Sequence, residues 1–288
     1  MARVAIVGVG AIGGVIAALL EMTGLHEITL CTRRPLDGLV VETPEGTISV
    51  RATNTLDPRL ADPVDWVLVA TKTYDIESAS AWLGRLRRKD TPVAVVQNGV
   101  EHRKKFEPYV DAKEIVPVII DCPAERLENG IVRQRGGASM QVEKGLIGSA
   151  FSSLFQGSKA RVELTDDFLT AAWKKLCLNS AGAISALVMK PVGVLQDKAL
   201  GQIALDIVSE CAAVGRAEGA RLADDIGIQV LEGYRAQPPD SINSMLADRI
   251  AGRKMEIDSR NGVIVRKGEQ HKIDTPTNRM IVALLNAI

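Results

Sequence analysis

The hexapeptide Gly8-Val9-Gly10-Ala11-Ile12-Gly13, followed directly by Gly14, lies between a short apolar run, Arg3 to Val7, and a longer one, Ile12 to Met22. Read as strand, turn and helix, this spacing suits the approach of a dinucleotide pyrophosphate to the first turn of the helix. The first glycine permits a tight turn, the second lets phosphate oxygens come close, and the third allows the helix to pack on the strand. A glycine-rich corner alone could serve packing only. Its context favours the nucleotide, because Glu27 to Cys31 reads as a second strand and Thr32-Arg33-Arg34 follows it. An acidic residue at that place holds a ribose 2′-hydroxyl, whereas an arginine favours a 2′-phosphate. The expected cofactor is therefore NADP, held by the loop from Gly8 to Gly13 and by Arg33, with Arg34 stacking or solvated.

Other polar residues stand where chemistry could be done. Thr71-Lys72-Thr73 and Gln97-Asn98-Gly99 each follow a continuous apolar run, at the strand ends where open α/β sheets bind ligands. Asn98 before a glycine reads equally as a turn residue, and Lys72 as a surface lysine. Farther on, Lys175 and Asn179 are four residues apart and project from one helix face, so both could address one bound molecule. Trp173, Cys177 and Ser180 fall on another face and read as packing. Ser244-Met245-Leu246 and Glu256-Ile257-Asp258 read singly as parts of a solvated helical surface.

The elements needed to position these residues are of two kinds. Up to Glu143 the chain alternates apolar strands with turns or helices: Val40 to Glu42 and Ile48 to Arg51 around Pro44-Glu45-Gly46, a hairpin; then Trp66 to Ala70, the helix Ile76 to Arg87, and Val93 to Val96. Ile115 to Ile120, Gly130 to Arg133 and Ala138 to Glu143 follow. This pattern predicts a doubly wound α/β sheet with a late antiparallel portion. From Thr165 the periodicity is helical. Thr165 with Asp166 and Asp167 reads as a helix cap, and that helix should carry Trp173, Lys175 and Asn179, with Pro191 ending the stretch. Leu200 through Val214 has one apolar face, and Thr275-Pro276 opens a last helix. The expected division is 1–165, binding NADP, and 166–288, helical and holding the substrate and catalytic residues.

Composition narrows the function classes. The 288 residues carry 35 Lys+Arg and 35 Asp+Glu, a balance that leaves no electrostatic footprint for nucleic acid or an acidic membrane surface. Cys31, Cys122, Cys177 and Cys211 are widely spaced, so neither a metal site nor a disulfide framework is expected, and the reducing cytoplasm is the default. The uncharged run Val4 to Leu20 is short for a membrane span and is broken by glycines, so a soluble protein is expected. His26, His102 and His271 lie outside every motif.

Taken together and in order, these pieces resemble the ketopantoate reductase (2-dehydropantoate 2-reductase) family. The likeness runs through the glycine loop, Lys72, Gln97-Asn98-Gly99, Trp173-x-Lys175-Leu176-x-x-Asn179, Ser244-Met245-Leu246 and Glu256-Ile257-Asp258, with Asn261-Gly262 and Thr275-Pro276 behind them. The resemblance implies an N-terminal Rossmann-type domain, an all-helical C-terminal domain and a substrate cleft between the two. It implies NADPH-dependent reduction of ketopantoate to pantoate in pantothenate biosynthesis. In such enzymes the residue matching Lys175 is the general acid. Glu256 becomes a catalytic and cofactor-orienting residue, Lys72 a cofactor contact, Asn98 a ligand of both cofactor and substrate, and Asn179 and Ser244 substrate contacts. One departure stands out: family members often carry a second asparagine four residues after Asn179, where this chain has Ala183, so a donor to the substrate must come from elsewhere. The rival readings are a reductase of another 2-oxo acid, an opine-type dehydrogenase and a non-catalytic NADP-sensing protein. The retained Lys175 and Glu256 argue against the last. The partner expected is a small 2-oxo acid; the sequence leaves the oligomeric state open, a homodimer among the options.

Overall fold

The computed structural model describes residues 1–288 and divides into two compact units, one of residues 1–97 and 101–168, the other of residues 98–100 and 169–288. The chain thus changes unit after Phe168, and the segment from Asn98 to Val100, expected in the N-terminal part, groups with the helices.

In the first unit, β1 (Ala2–Val7) leads through the glycine turn into α1 (Ala11–Thr23), and β2 (His26–Cys31) returns parallel to β1. Next come β3 (Leu39–Thr43) and β4 (Gly46–Val50), the expected hairpin, then β5 (Thr53–Thr55), β6 (Trp66–Val69), α2 (Ile76–Leu86) and β7 (Val93–Val95). The unit continues with α3 (His102–Phe106), β8 (Ile115–Asp121), β9 (Ala124–Arg126), β10 (Val132–Gln134), β11 (Ala138–Glu143), α4 (Leu146–Ser153) and β12 (Ala160–Thr165). Eight strands form the main sheet in the order β12-β11-β8-β7-β6-β1-β2-β5, parallel apart from the antiparallel pair β8 and β11. A second sheet, β4-β3-β10-β9, joins the hairpin to a later one.

That second sheet explains why α1 is apolar on every side. A helix with no polar face must be enclosed. Val4 and Ile6 of β1 share a core with Ile16 and Leu20 of α1 and with Val41 and Val132 of the small sheet. Alternate residues of the same strand, Ala5 and Val7, join Val67, Val69, Trp82 and Leu83 on the opposite face, as the strand period of two requires.

Thr165 is not the start of a helix. It ends β12, and its Oγ1 accepts from the Asp167 amide at 3.1 Å, a local turn that satisfies the hydroxyl before α5 (Phe168–Ala181) begins. The expected strand at Gly130 starts two residues later, because Gly130 holds a left-handed φ of 84° in the turn before β10.

In the second unit, α5 stops at Gly182 and α6 (Ala183–Val188) ends at Met189, which adopts the left-handed conformation. A Cβ at Gly182 would stand 2.7 Å from the Tyr234 hydroxyl, so this break is packed closely. The helices α7 (Lys198–Ala217), α8 (Ile226–Arg235) and α9 (Ser244–Ile250) follow, then a π-helical segment Asp258–Gly262, α10 (Val263–His271) and α11 (Pro276–Asn286). Trp173, Leu176 and Cys177 enter the core of this unit together with Ile207, Val208 and Cys211.

His102 is structural. Its Nε2 lies 2.8 Å from the Gln97 carbonyl, so Nε2 carries the proton and donates, and burial pushes the imidazole down to about 4. The unfolded chain takes up a second proton near the ordinary histidine value, so stability should fall as pH drops from about 6.5 towards about 4. Replacing the imidazole removes this term, on the order of a few kcal/mol. Denaturant unfolding of His102→Gln should accordingly show a shallower loss of stability across that window; an unchanged slope would assign the acid sensitivity elsewhere.

Candidate functional site

The glycine turn is built by steric necessity. Gly8 has φ of 92°, and a Cβ there would lie 2.8 Å from the Thr71 amide nitrogen. A Cβ at Gly13 would fall 2.0 Å from the Gly8 carbonyl oxygen, and one at Gly14 would strike Val132 at 2.7 Å. Gly10 is different: nothing lies within 4 Å of its Cβ position, and it is exposed. It caps α1 without a side-chain acceptor for the first helical amides. Open space in front of unsatisfied N–H groups fits the pyrophosphate of a dinucleotide.

The rest of the first unit supports that fit. Two residues past β2, Arg33 is exposed, with its Nη2 only 3.6 Å from the Asp75 carboxylate. Its loop is anchored by Asn54, whose Nδ2 donates to the Leu30 carbonyl at 2.9 Å and to Thr32 Oγ1 at 2.8 Å. Lys72 follows β6 and is half-buried; Gln97 Nε2 donates at 3.0 Å to both the carbonyl and the hydroxyl of the neighbouring Thr71. Sequence reasoning missed Arg126. From β9 it donates to the Val9 carbonyl, setting a guanidinium against the glycine turn, and burial lowers its pKa. The signal was weak, since Arg126 lies far along the chain from the motif it touches.

The second unit brings another set of expected residues together. Asn98 Nδ2 donates to Glu256 Oε2 at 2.9 Å, and Asn179 Nδ2 donates to Asn98 Oδ1 at 3.4 Å. Glu256 is only 5% exposed. Lys175 lies one turn before Asn179 on α5 and is half-buried, whereas adjacent Lys174 is exposed. Ser244 opens α9 and accepts from Arg260, a residue the sequence reading passed over. Gly99 has φ of 107°, and its Cβ position lies 3.1 Å from the Ser259 carbonyl, so the segment carrying Asn98 presses on the π-helical turn. Ala183 is fully buried and belongs to the apolar core of this unit.

The family described as "Ketopantoate reductase PanE/ApbA" matches residues 4–146, and its C-terminal counterpart matches residues 167–288. This chain belongs to the ketopantoate reductase family. A 2-dehydropantoate 2-reductase of Caulobacter vibrioides is 49% identical over 287 residues, covering 100% of this chain and 99% of the relative. One from Mycobacterium tuberculosis is 38% identical over 286 residues, covering 99% and 97%. Among solved structures, a PanE/ApbA family ketopantoate reductase from Ralstonia eutropha JMP134 aligns with a TM-score of 0.90 at 31% identity, over 99% of this chain and 97% of that one. The fold of the ketopantoate reductases is thus the fold of this chain.

The two key glycines should separate under mutation. Gly10→Ala is expected to leave thermal unfolding nearly unchanged while weakening cofactor binding at least about tenfold, since only a ligand would meet the new methyl group. Gly8→Ala should instead lower the unfolding temperature. Equal effects on stability, with cofactor affinity untouched, would remove the loop from the binding site.

Proposed function

We propose that this chain reduces 2-dehydropantoate (ketopantoate) to pantoate with NADPH, and that Lys175 supplies the proton. The observation carrying this reading is the array in which Asn179 donates to Asn98 and Asn98 to Glu256, with Lys175 one helical turn from Asn179. When bound, NADPH supplies the hydride to the keto carbon. The ketone oxygen then gains negative charge, which the Lys175 ammonium stabilises before transferring its proton. Asn98 and Asn179 orient substrate groups, and Glu256 holds the Asn98 carboxamide in a single orientation, since only the NH2 end can donate to a carboxylate. The glycine loop and Lys72 bind the cofactor phosphates, and Arg33 takes the 2′-phosphate.

No helix is long and apolar enough to cross a membrane, and all four cysteines are free. Free thiols suit a reducing, cytoplasmic compartment.

Lys174 is turned by about 100° from Lys175 on a regular helix. Lys175→Ala should therefore lower kcat by on the order of 100-fold with NADPH binding kept, and Lys174→Ala should do little. A larger loss of turnover from Lys174→Ala would overturn the assignment. Arg33→Ala should reduce the preference for NADPH over NADH by about ten- to a hundredfold, read as the ratio of the two dissociation constants. A ratio that stays fixed would place the 2′-phosphate elsewhere.

A further inference from the structure

We infer that Arg260 turns Ser244 into the receptor for the substrate carboxylate: the guanidinium occupies an acceptor lone pair of the serine, leaving the hydroxyl proton for an anion and setting a fixed positive charge behind it. This inference rests on the reductase reading and adds to it a residue that confers the requirement for an acid.

Arg260 is 2% exposed and lies in the π-helical segment, four residues after Glu256. Its Nη2 donates to Ser244 Oγ at 2.7 Å, while its Nε is buried with no partner. No carboxylate in the protein pairs with it. An arginine so enclosed and lacking a counter-ion is costly, and an anionic ligand nearby would offset the cost.

Ser244 is placed to relay that charge. It is exposed, while its neighbour Asn243 does the work of capping α9: Asn243 Oδ1 accepts from the Met245 and Leu246 amides at 3.1 and 3.0 Å. The Ser244 hydroxyl is therefore free of a capping duty. A guanidinium can only donate, so Oγ is the acceptor in this contact and its own proton must find another partner. The carboxylate of a 2-oxo acid is an acceptor-only group of the right sign.

The backbone beneath Arg260 is fixed. Asn261 Nδ2 donates to the Ser180 carbonyl on α5 at 3.2 Å and to Asn278 Oδ1 at 2.9 Å. Asn243 Nδ2 holds the Gly182 carbonyl, just past α5, at 2.9 Å. The Arg260–Ser244 pair is thus tied to the helix that carries Lys175 and Asn179. Ala183, buried on the following helix, offers no side-chain donor of its own.

Arg260 is accordingly a positioning residue acting through Ser244. The test compares kcat/KM for ketopantoate with kcat/KM for its neutral primary amide, at saturating NADPH, in the unmodified enzyme, Arg260→Gln, Arg260→Lys and Ser244→Ala. Arg260→Gln should raise KM for the acid about ten- to a hundredfold with kcat within a few-fold, and lower the acid-to-amide ratio by a similar factor. Arg260→Lys should recover part of that ratio. A purely structural role would depress acid and amide alike, and an unchanged ratio in Arg260→Gln overturns the inference. Should Arg260→Gln fail to fold, Ser244→Ala at the exposed position decides: a lowered ratio supports the inference and an unaltered ratio rejects it. Calorimetric titration of the NADP+-bound protein with pantoate and its amide reads the same selectivity without turnover. Acid-selective binding that these variants abolish, in a protein that reduces no 2-oxo acid, would reject only the reductase reading. Turnover of acid and amide alike by the unmodified enzyme would reject only the carboxylate receptor.

Discussion

The Asn98 carboxamide is held at both ends, and the arrangement of the polar residues in the helical unit depends on it. Its NH2 group meets Glu256 Oε2 and its oxygen accepts from Asn179, so one side chain joins α5 to the residue two before the π-helical turn. Glu256 is nearly enclosed, and a buried carboxylate needs hydrogen-bond donors, of which the Asn98 amide is one. Gly99 makes the contact sterically feasible. Its left-handed backbone and missing Cβ let the segment rest on the Ser259 carbonyl, where any other residue would combine strain with a tight contact. The Gln97-Asn98-Gly99 triplet therefore holds a different duty at each position: Gln97 anchors to Thr71, Asn98 joins Glu256 to Asn179, and Gly99 allows the approach.

The glycines of the N-terminal turn show a comparable separation of causes. Gly8, Gly13 and Gly14 are each required by atoms of the protein, Thr71, the Gly8 carbonyl and Val132 respectively. Gly10 alone is required by nothing in the fold. Its open space, in front of the first amides of α1, suits the phosphate approach proposed for this turn.

Much of this was legible in the residue pattern. The short apolar run of β1, the apolar continuity of β6 and β7, and the glycine spacing led directly to the doubly wound sheet, and the four-residue interval placed Lys175 and Asn179 on one helix face. The four-stranded second sheet was not legible, because β3 pairs with β10 from far along the chain and neither strand carries a signal of its partner. Thr165 misled for a physical reason: a hydroxyl followed by two aspartates satisfies a turn as well as a helix start. Arg260 went unnoticed because it falls between the motifs, in a π-helical turn that breaks the 3.6-residue register, although it is buried. Ala183 looked like a gap in a polar site, yet it belongs to the apolar core of the helices.

If Asn98, Asn179 and Glu256 act as one unit, their effects on catalysis cannot be independent. A double-mutant cycle on kcat/KM for ketopantoate, built from Asn98→Ala, Glu256→Ala and the combination, measures this directly. The expected result is strong coupling, with the double variant little worse than the poorer single one and an interaction energy of about 1 to 3 kcal/mol. Losses that simply add, within about 0.5 kcal/mol, would mean that the carboxamide and the carboxylate serve separate ends and that the bridge between them does not organise the site.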